Sequence, residues 1–252
     1  MIHGFRGTHH GLIPIAKHIK DFRVVIPDLP GFGKGATLTD YSLESYVKWL
    51  HGYVRQQKLT QPPVLLGHSF GSIVAAAYAK KYPETIQKLI LVNPIGAPAL
   101  EGPRGLLTKF TVFYYWAGTK LSPKLGHKWL SSQLVTDGMS FVMTKTDDAE
   151  MKEFIKTQHR QHFSRFHTPE SVSEGFKTSV THSVRDFAKQ ISVPTLLIAG
   201  SLDDITPLSK QYQLVKLFPK AKLRVINDVG HLTHYETAEK VAQLTQAFCK
   251  LS

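Results

Sequence analysis

Residues Pro62 to Pro83 read PPVLLGHSFGSIVAAAYAKKYP, and the five residues at the centre, Gly67-His68-Ser69-Phe70-Gly71, decide the fold. Val64 to Leu66 are β-formers set off by two prolines, while Ile73 to Tyr82 follow helical spacing, so the G-x-S-x-G stretch occupies a strand-to-helix corner. Such a corner has no room for side chains on both flanks. Glycine at positions 67 and 71 lets strand and helix approach closely, and Ser69 is pushed to the tip with its hydroxyl exposed. A serine hydroxyl is a poor nucleophile near neutral pH. The corner therefore carries chemistry only if the rest of the chain supplies a base, a carboxylate and donors for an oxyanion.

Outward from the corner the chain alternates strand and helix. Arg23 to Ile26, Ile86 to Val92, Val193 to Ala199 and Leu223 to Ile226 read as further strands. Tyr41 to Gln57, with Leu43, Tyr46, Val47, Leu50 and Val54 on one face, reads as an amphipathic helix, as do Pro207 to Phe218 and Glu236 to Lys250. This alternation predicts an α/β fold, with a mostly parallel central sheet covered by helices on both faces. Residues 97 to about 185 break the pattern. Strand-like runs are scarce there and aromatics are dense, which predicts a helical insertion between two sheet strands.

The loops that follow the strands offer the missing groups. Gly200-Ser-Leu-Asp-Asp-Ile-Thr-Pro207 offers Asp203 and Asp204, and Asp228-Val-Gly-His231 offers a histidine just before the last helix. In an open parallel sheet the loops at the carboxyl ends of the strands share one crevice, so these distant residues can converge on Ser69.

With these residues in view, the chain resembles the α/β-hydrolase family. The resemblance spans nearly the whole sequence: His3-Gly4-Phe5 as the oxyanion-loop motif, Asp28-Leu-Pro-Gly-Phe-Gly33 after the next strand, the GHSFG elbow, and then acid and histidine in the order Ser, Asp, His. It implies a catalytic Ser69, His231 and Asp203, the last chosen over Asp204 by its place in G-x-x-D-x-x-x-P. It implies an oxyanion hole made by the backbone N–H groups of Phe5 and Phe70. It makes His3, Gly4 and Arg6 candidates for the substrate side of the site, with His9 and His10 near the entrance. Asn93, at the place where some members carry the acid, is an amide and reads as structural. Relatives that are haloalkane dehalogenases or epoxide hydrolases carry aspartate at the elbow, so Ser69 points away from both.

The family's cap lies where residues 97–185 fall, which divides the chain into a core of residues 1–96 and 186–252 and a cap of residues 97–185. The aromatics of that cap, Phe113 and Trp116 foremost, imply an apolar acyl or aryl pocket. The leading expectation is hydrolysis of a carboxylic ester through an acyl-enzyme. One alternative is C–C hydrolysis of the meta-cleavage-product type, for which Arg6 would supply the carboxylate partner. Another is a ligand-binding protein of this fold without turnover.

Composition bounds the rest. The 252 residues are 42% hydrophobic, enough for a large core. The net charge of +12 is spread along the chain with no basic run and no nucleic-acid motif, so a solvated surface is expected rather than a nucleic-acid partner. No apolar run is long enough to span a bilayer. FTVFYYW is too short for stable insertion, although basic residues flank it. The single cysteine, Cys249, excludes an intrachain disulfide, and a cytoplasmic location is the expectation. His159 and His162 lack a third ligand pattern such as H-E-x-x-H, so neither a metal nor any other cofactor is expected. A small-molecule substrate is the expected partner, and a homodimer is compatible with the sequence.

The amino terminus departs from the family. There a central strand runs into the His-Gly motif, whereas here only Met1-Ile2 precede His3. A gap at that place leaves interior backbone groups unpaired at roughly 1–3 kcal/mol each. The N-terminal strands therefore read as truncated or missing. We expect residues upstream of Met1 to belong to the natural protein, the alternative being closure of the neighbouring strands.

Overall fold

The computed structural model describes residues 1–97 and 105–250. Four strands, β1 (Val64–His68), β2 (Lys88–Val92), β3 (Thr195–Gly200) and β4 (Ala221–Ile226), form one sheet in the order β1-β2-β3-β4. All three pairings are parallel. Every residue of β3 and the last four of β2 are buried, as expected for strands covered on both faces. Alternate residues sort between two cores. Leu65, Leu89, Leu91 and Leu197 join a cluster with α2 (Leu43–Gln56) and α3 (Phe70–Lys81). Leu66, Ile90, Val92, Leu196 and Ile198 face α1 (Ile13–His18) and α12 (Ala238–Lys250) on the other side.

Between β2 and β3 come α4 (Gly105–Lys120), α5 (Pro123–Leu130), α6 (Gln133–Met143), α7 (Ala149–His162), α8 (Pro169–Thr181) and α9 (Arg185–Ala188). After β3 the chain forms α10 (Leu208–Val215), β4, a short α11 (Thr233–Glu236) and α12. The helical character expected between the two strands is therefore present, with α8 opened by a capping box in which Thr168 and Ser171 satisfy each other's backbone donors. Residues 165–167 also tie back to the core. Gly33 N–H donates to Arg165 O at 2.6 Å, His167 N–H to Gly31 O at 2.9 Å, and Phe32 bridges Phe166.

One expected strand is absent. Arg23 to Ile26 runs without strand pairing, and its link toward the sheet is the Met1 amino group donating to Val25 O at 2.7 Å. A strand exists through its ladder, and residues 23–26 make none. Ile2 does pair with the edge of β1: its N–H donates to Leu66 O at 2.7 Å, and its carbonyl accepts from His68 N–H at 3.0 Å. Beside it a cleft of about 230 Å³ remains between β1 and residues 23–27, lined by Ile2, Val25, Leu65 and Tyr53 among others.

Candidate active site

The corner after β1 has the shape its glycines require. A Cβ on Gly67 would fall 2.3 Å from the Gly71 carbonyl oxygen, and one on Gly71 would fall 2.4 Å from Ile2 O and 2.6 Å from His3 O. These are backbone atoms that cannot swing aside. Gly71→Ala is accordingly expected to lower the unfolding free energy by about 2–3 kcal/mol, read as a lower urea midpoint. A midpoint equal to that of the parent would contradict the close approach. Ser69 itself sits at φ 51°, ψ −119°, a backbone region that costs a non-glycine residue about 1–3 kcal/mol. It caps α3, whose N-terminus favours negative charge nearby.

His231 and Asp203 reach this serine from the loops after β4 and β3. Ser69 Oγ lies 2.8 Å from His231 Nε2, and His231 Nδ1 lies 2.8 Å from Asp203 Oδ2. Both His231 and Asp203 are buried. The carboxylate is saturated with donors. Its Oδ2 also accepts from Asn93 Nδ2 at 2.6 Å and from the Thr206 hydroxyl, while Oδ1 accepts the backbone N–H groups of Ile205 and Thr206, each at 2.8 Å. Burial acts to raise the Asp203 pKa. The His231 charge and the hydrogen bonds from His231 and Thr206 outweigh it, so the carboxyl is held well below the usual carboxylate range. Asp204 is exposed and pairs with Lys145 at 2.7 Å.

Asn93 has a larger part than the sequence alone indicates. It stands at the end of β2 with φ 46°, donates to both Asp203 and the Gly230 carbonyl, and accepts from the Thr233 hydroxyl. It thereby joins the acid-bearing loop to the histidine-bearing loop. The signal for it was its position at a strand end, next to the corner strand.

The loop of residues 3–7 closes the other side. His3 donates from Nδ1 to Gly4 O and accepts the Leu29 N–H at Nε2, both at 2.8 Å, which fixes its neutral tautomer. Gly7 N–H donates to Gly4 O at 3.0 Å, closing a turn with Arg6 at φ 58°. A Cβ on Gly4 would lie 3.2 Å from Ser69 Cβ, so the Gly4 backbone passes beside the serine. Phe70 is the first residue of α3, where an N–H has no intrahelical acceptor.

Arg6 is fully buried and points into the helical segment rather than toward Ser69. Its Nε donates to Phe163 O at 3.0 Å, Nη1 to the Tyr115 hydroxyl at 3.3 Å, and Nη2 to Leu130 O at 2.9 Å, with the guanidinium 4.7 Å above the Phe163 ring. Phe113 and Trp116 also depart from the expected placement. Both are exposed on α4, because it is Tyr115 that faces inward and packs against Phe5 and Phe176. His9 bonds Asp28 at 2.9 Å, and His10 stacks on His162 at 3.8 Å.

Several histidines around the site are held neutral by burial. Burial lowers His3 to about 4 and His159 to about 4. Burial and the nearby His231 lower His68 to about 3, and burial beside His68 takes His234 well below its ordinary value. In each case the folded pKa is depressed. The stability contributed is complete above the unfolded value near 6.5 and is lost as pH falls toward 4, by up to about 1.4 kcal/mol per pH unit for each ring. The urea midpoint is therefore expected to drop steeply between about pH 7 and about pH 5. A flat midpoint over that range would contradict the buried neutral rings.

Comparison with known proteins agrees with this architecture. The family model for the alpha/beta hydrolase fold matches residues 1–238. Lipase 1 of Psychrobacter immobilis is 28% identical over 98% of this chain and 75% of its own. The 2-hydroxymuconate semialdehyde hydrolase of Pseudomonas putida is 27% identical over 90% of this chain and 76% of its own. Among solved structures, an esterase from Thermogutta terrifontis superposes with a TM-score of 0.79 at 24% identity, covering 99% of this chain and 88% of that one. With a parallel sheet, a serine at the strand-to-helix corner and a family match over nearly its whole length, this chain belongs to the alpha/beta hydrolase fold family.

Proposed function

We propose that the protein is a serine hydrolase of carboxylic esters with an apolar acyl or aryl group, acting through Ser69, His231 and Asp203. The observation that carries this reading is the row of contacts from Ser69 Oγ to His231 Nε2 and from His231 Nδ1 to Asp203, each 2.8 Å. As Ser69 attacks the ester carbonyl, its proton passes to His231 Nε2, and Asp203 holds the ring and stabilises the imidazolium. The negative oxygen of the tetrahedral intermediate is received by the backbone N–H groups of Phe5 and Phe70, aided by the N-terminus of α3. Collapse returns the proton from His231 to the departing alkoxide and leaves an acyl-serine. Water then repeats the sequence, giving up its proton to His231 and releasing the acid. Residues 97–185 act in this reading as the cap over the site, tied to the core by Arg6.

The similarity to the 2-hydroxymuconate semialdehyde hydrolase favours a second reading, hydrolysis of a C–C bond next to a ketone. The ester reading is the stronger. Arg6, the cation within the 3–7 loop, spends its donors on Phe163 O, Leu130 O and the Tyr115 and Ser164 hydroxyls, which leaves no open fork for a substrate carboxylate. The ring of Phe5, packed among Phe32, Phe70, Tyr115 and Phe176, gives the site an apolar wall. A panel of p-nitrophenyl esters of increasing acyl length, run beside a dienoate-type diketone, tests both. Turnover that rises from acetate to longer acyl chains, with none on the diketone, is expected. An acetate preference with no gain from length would defeat the apolar-acyl assignment, and faster cleavage of the diketone would move the protein to the second reading.

A further inference from the structure

Helix α4 reads GLLTKFTVFYYWAGTK, apolar through its middle with a lysine toward each end. Large apolar side chains on a helix are ordinarily turned inward, yet among the described residues of α4 several stand in solvent. Tyr115 is 2% exposed, while Phe110, Phe113 and Trp116 are 64%, 60% and 49% exposed. At about 100° per residue these three, with Lys109 and Lys120, fall within an arc of roughly 120° turned away from Tyr115. The rings of Phe113 and Trp116 lie 5.6 Å apart, and Lys120 Nζ sits 5.4 Å over Trp116.

The surface continues onto α5. Trp129, 49% exposed, has its ring 5.5 Å from Tyr114, and Leu125 beside it is 59% exposed. Lys124 and Lys128 are exposed on the same short helix. From Gly105 to Thr136 the sequence holds four lysines, at 109, 120, 124 and 128, and neither aspartate nor glutamate.

We propose that the outer faces of α4 and α5 form a docking surface for an anionic lipid layer. Phenylalanine, leucine and tryptophan enter the boundary between headgroups and acyl chains, where tryptophan is at home, while the lysine stems lie along the apolar layer and their ammonium groups meet anionic headgroups. Charge selects this occupant. A second copy of the chain, itself carrying a net charge of +12, would set like charges against these four lysines, whereas an anionic surface neutralises them.

The inference stands apart from the ester reading, and the test keeps the two separate by using the Ser69→Ala chain, which cannot consume lipid. Vesicles of phosphatidylcholine mixed with phosphatidylglycerol should carry this protein down on sedimentation at low salt. Vesicles of phosphatidylcholine alone should bind it at least about tenfold more weakly. Lys120→Gln and Lys124→Gln should each cost about fivefold. Phe113→Ser combined with Trp116→Ser should remove most of the binding while the far-ultraviolet circular dichroism stays as in the parent. With Trp49 and Trp129 replaced by phenylalanine, the emission of Trp116 should shift to the blue when phosphatidylglycerol vesicles are added. Failure to sediment with those vesicles, or binding unaltered in the Phe113→Ser and Trp116→Ser chain, would overturn the proposal. So would a dimer that those two substitutions dissolve in a protein that ignores vesicles, which would assign the surface to a second copy.

Discussion

Ser69→Ala is expected to lower kcat for p-nitrophenyl ester hydrolysis by about a million-fold, toward the level that binding and the oxyanion donors sustain alone. The loss is large because the side chain is the bond-forming atom. Without Oγ no acyl-enzyme forms, and His231 Nε2, now lacking its partner at 2.8 Å, can only act on a water that nothing has placed. The fold should be unaffected. The strain of φ 51° belongs to the backbone and is borne by alanine as by serine, and the bonds that hold the corner, Ser69 N–H to Val92 O and Ser72 N–H to Ser69 O, are main-chain. Single-turnover kinetics on the variant, with a melting curve beside the parent, reads both statements. Retention of even a few per cent of parental activity would remove Ser69 from the chemistry.

Asp203→Asn is expected to cost about ten-thousand-fold in kcat, whereas Asp204→Asn should leave activity within about twofold of the parent. Asp203 accepts at both oxygens: His231, Asn93 and Thr206 reach Oδ2, and two backbone N–H groups reach Oδ1. An amide NH2 turned either way therefore meets donors. Facing His231, it makes Nδ1 the acceptor and puts the ring proton on Nε2, the tautomer that cannot take the Ser69 proton. Facing Ile205 and Thr206, it leaves buried N–H groups opposed, at about 1–3 kcal/mol of stability. Asp204 is exposed, and its partner Lys145 is part of no such array. Equal losses in the two variants would contradict the assignment of the acid.

These expectations rest on features that local sequence made readable. The β1–α3 corner was legible because β-formers, two glycines and a helical run stand within some twenty residues, and each part needs only its neighbours to take shape. The β2 and β3 segments were legible for a similar reason, since both faces of the sheet are covered there and the strands are apolar runs, while β4, AKLRVI, was legible from β-formers that alternate with exposed Lys222 and Arg224. Arg23 to Ile26 is also rich in β-formers and yet forms no strand, because a strand depends on a ladder with its neighbours and not on its own residues alone.

The site shows the same division. Ser69, Asp203 and His231 stand at strand ends beside turn residues, and the structure brings them together. The bond from Asn93 to Asp203 joins residues 110 positions apart, which no local pattern reveals. Arg6 and the aromatics of α4 were misplaced for one physical reason. Residue type indicates that an arginine wants acceptors and an aromatic wants contact, but the direction each takes is set by packing between α4, α5 and the 3–7 loop. Tyr115 took the inward place that Phe113 and Trp116 were expected to fill.

Covalent labelling with a fluorophosphonate followed by peptide mapping addresses the activated oxygen of Ser69 alone. One phosphonyl group per chain on Ser69, absent in Ser69→Ala and slowed to near the background rate in His231→Gln, is the result expected. A folded protein that takes up no label at Ser69, or that labels as fast without the imidazole as with it, would show that this row of side chains does not do chemistry.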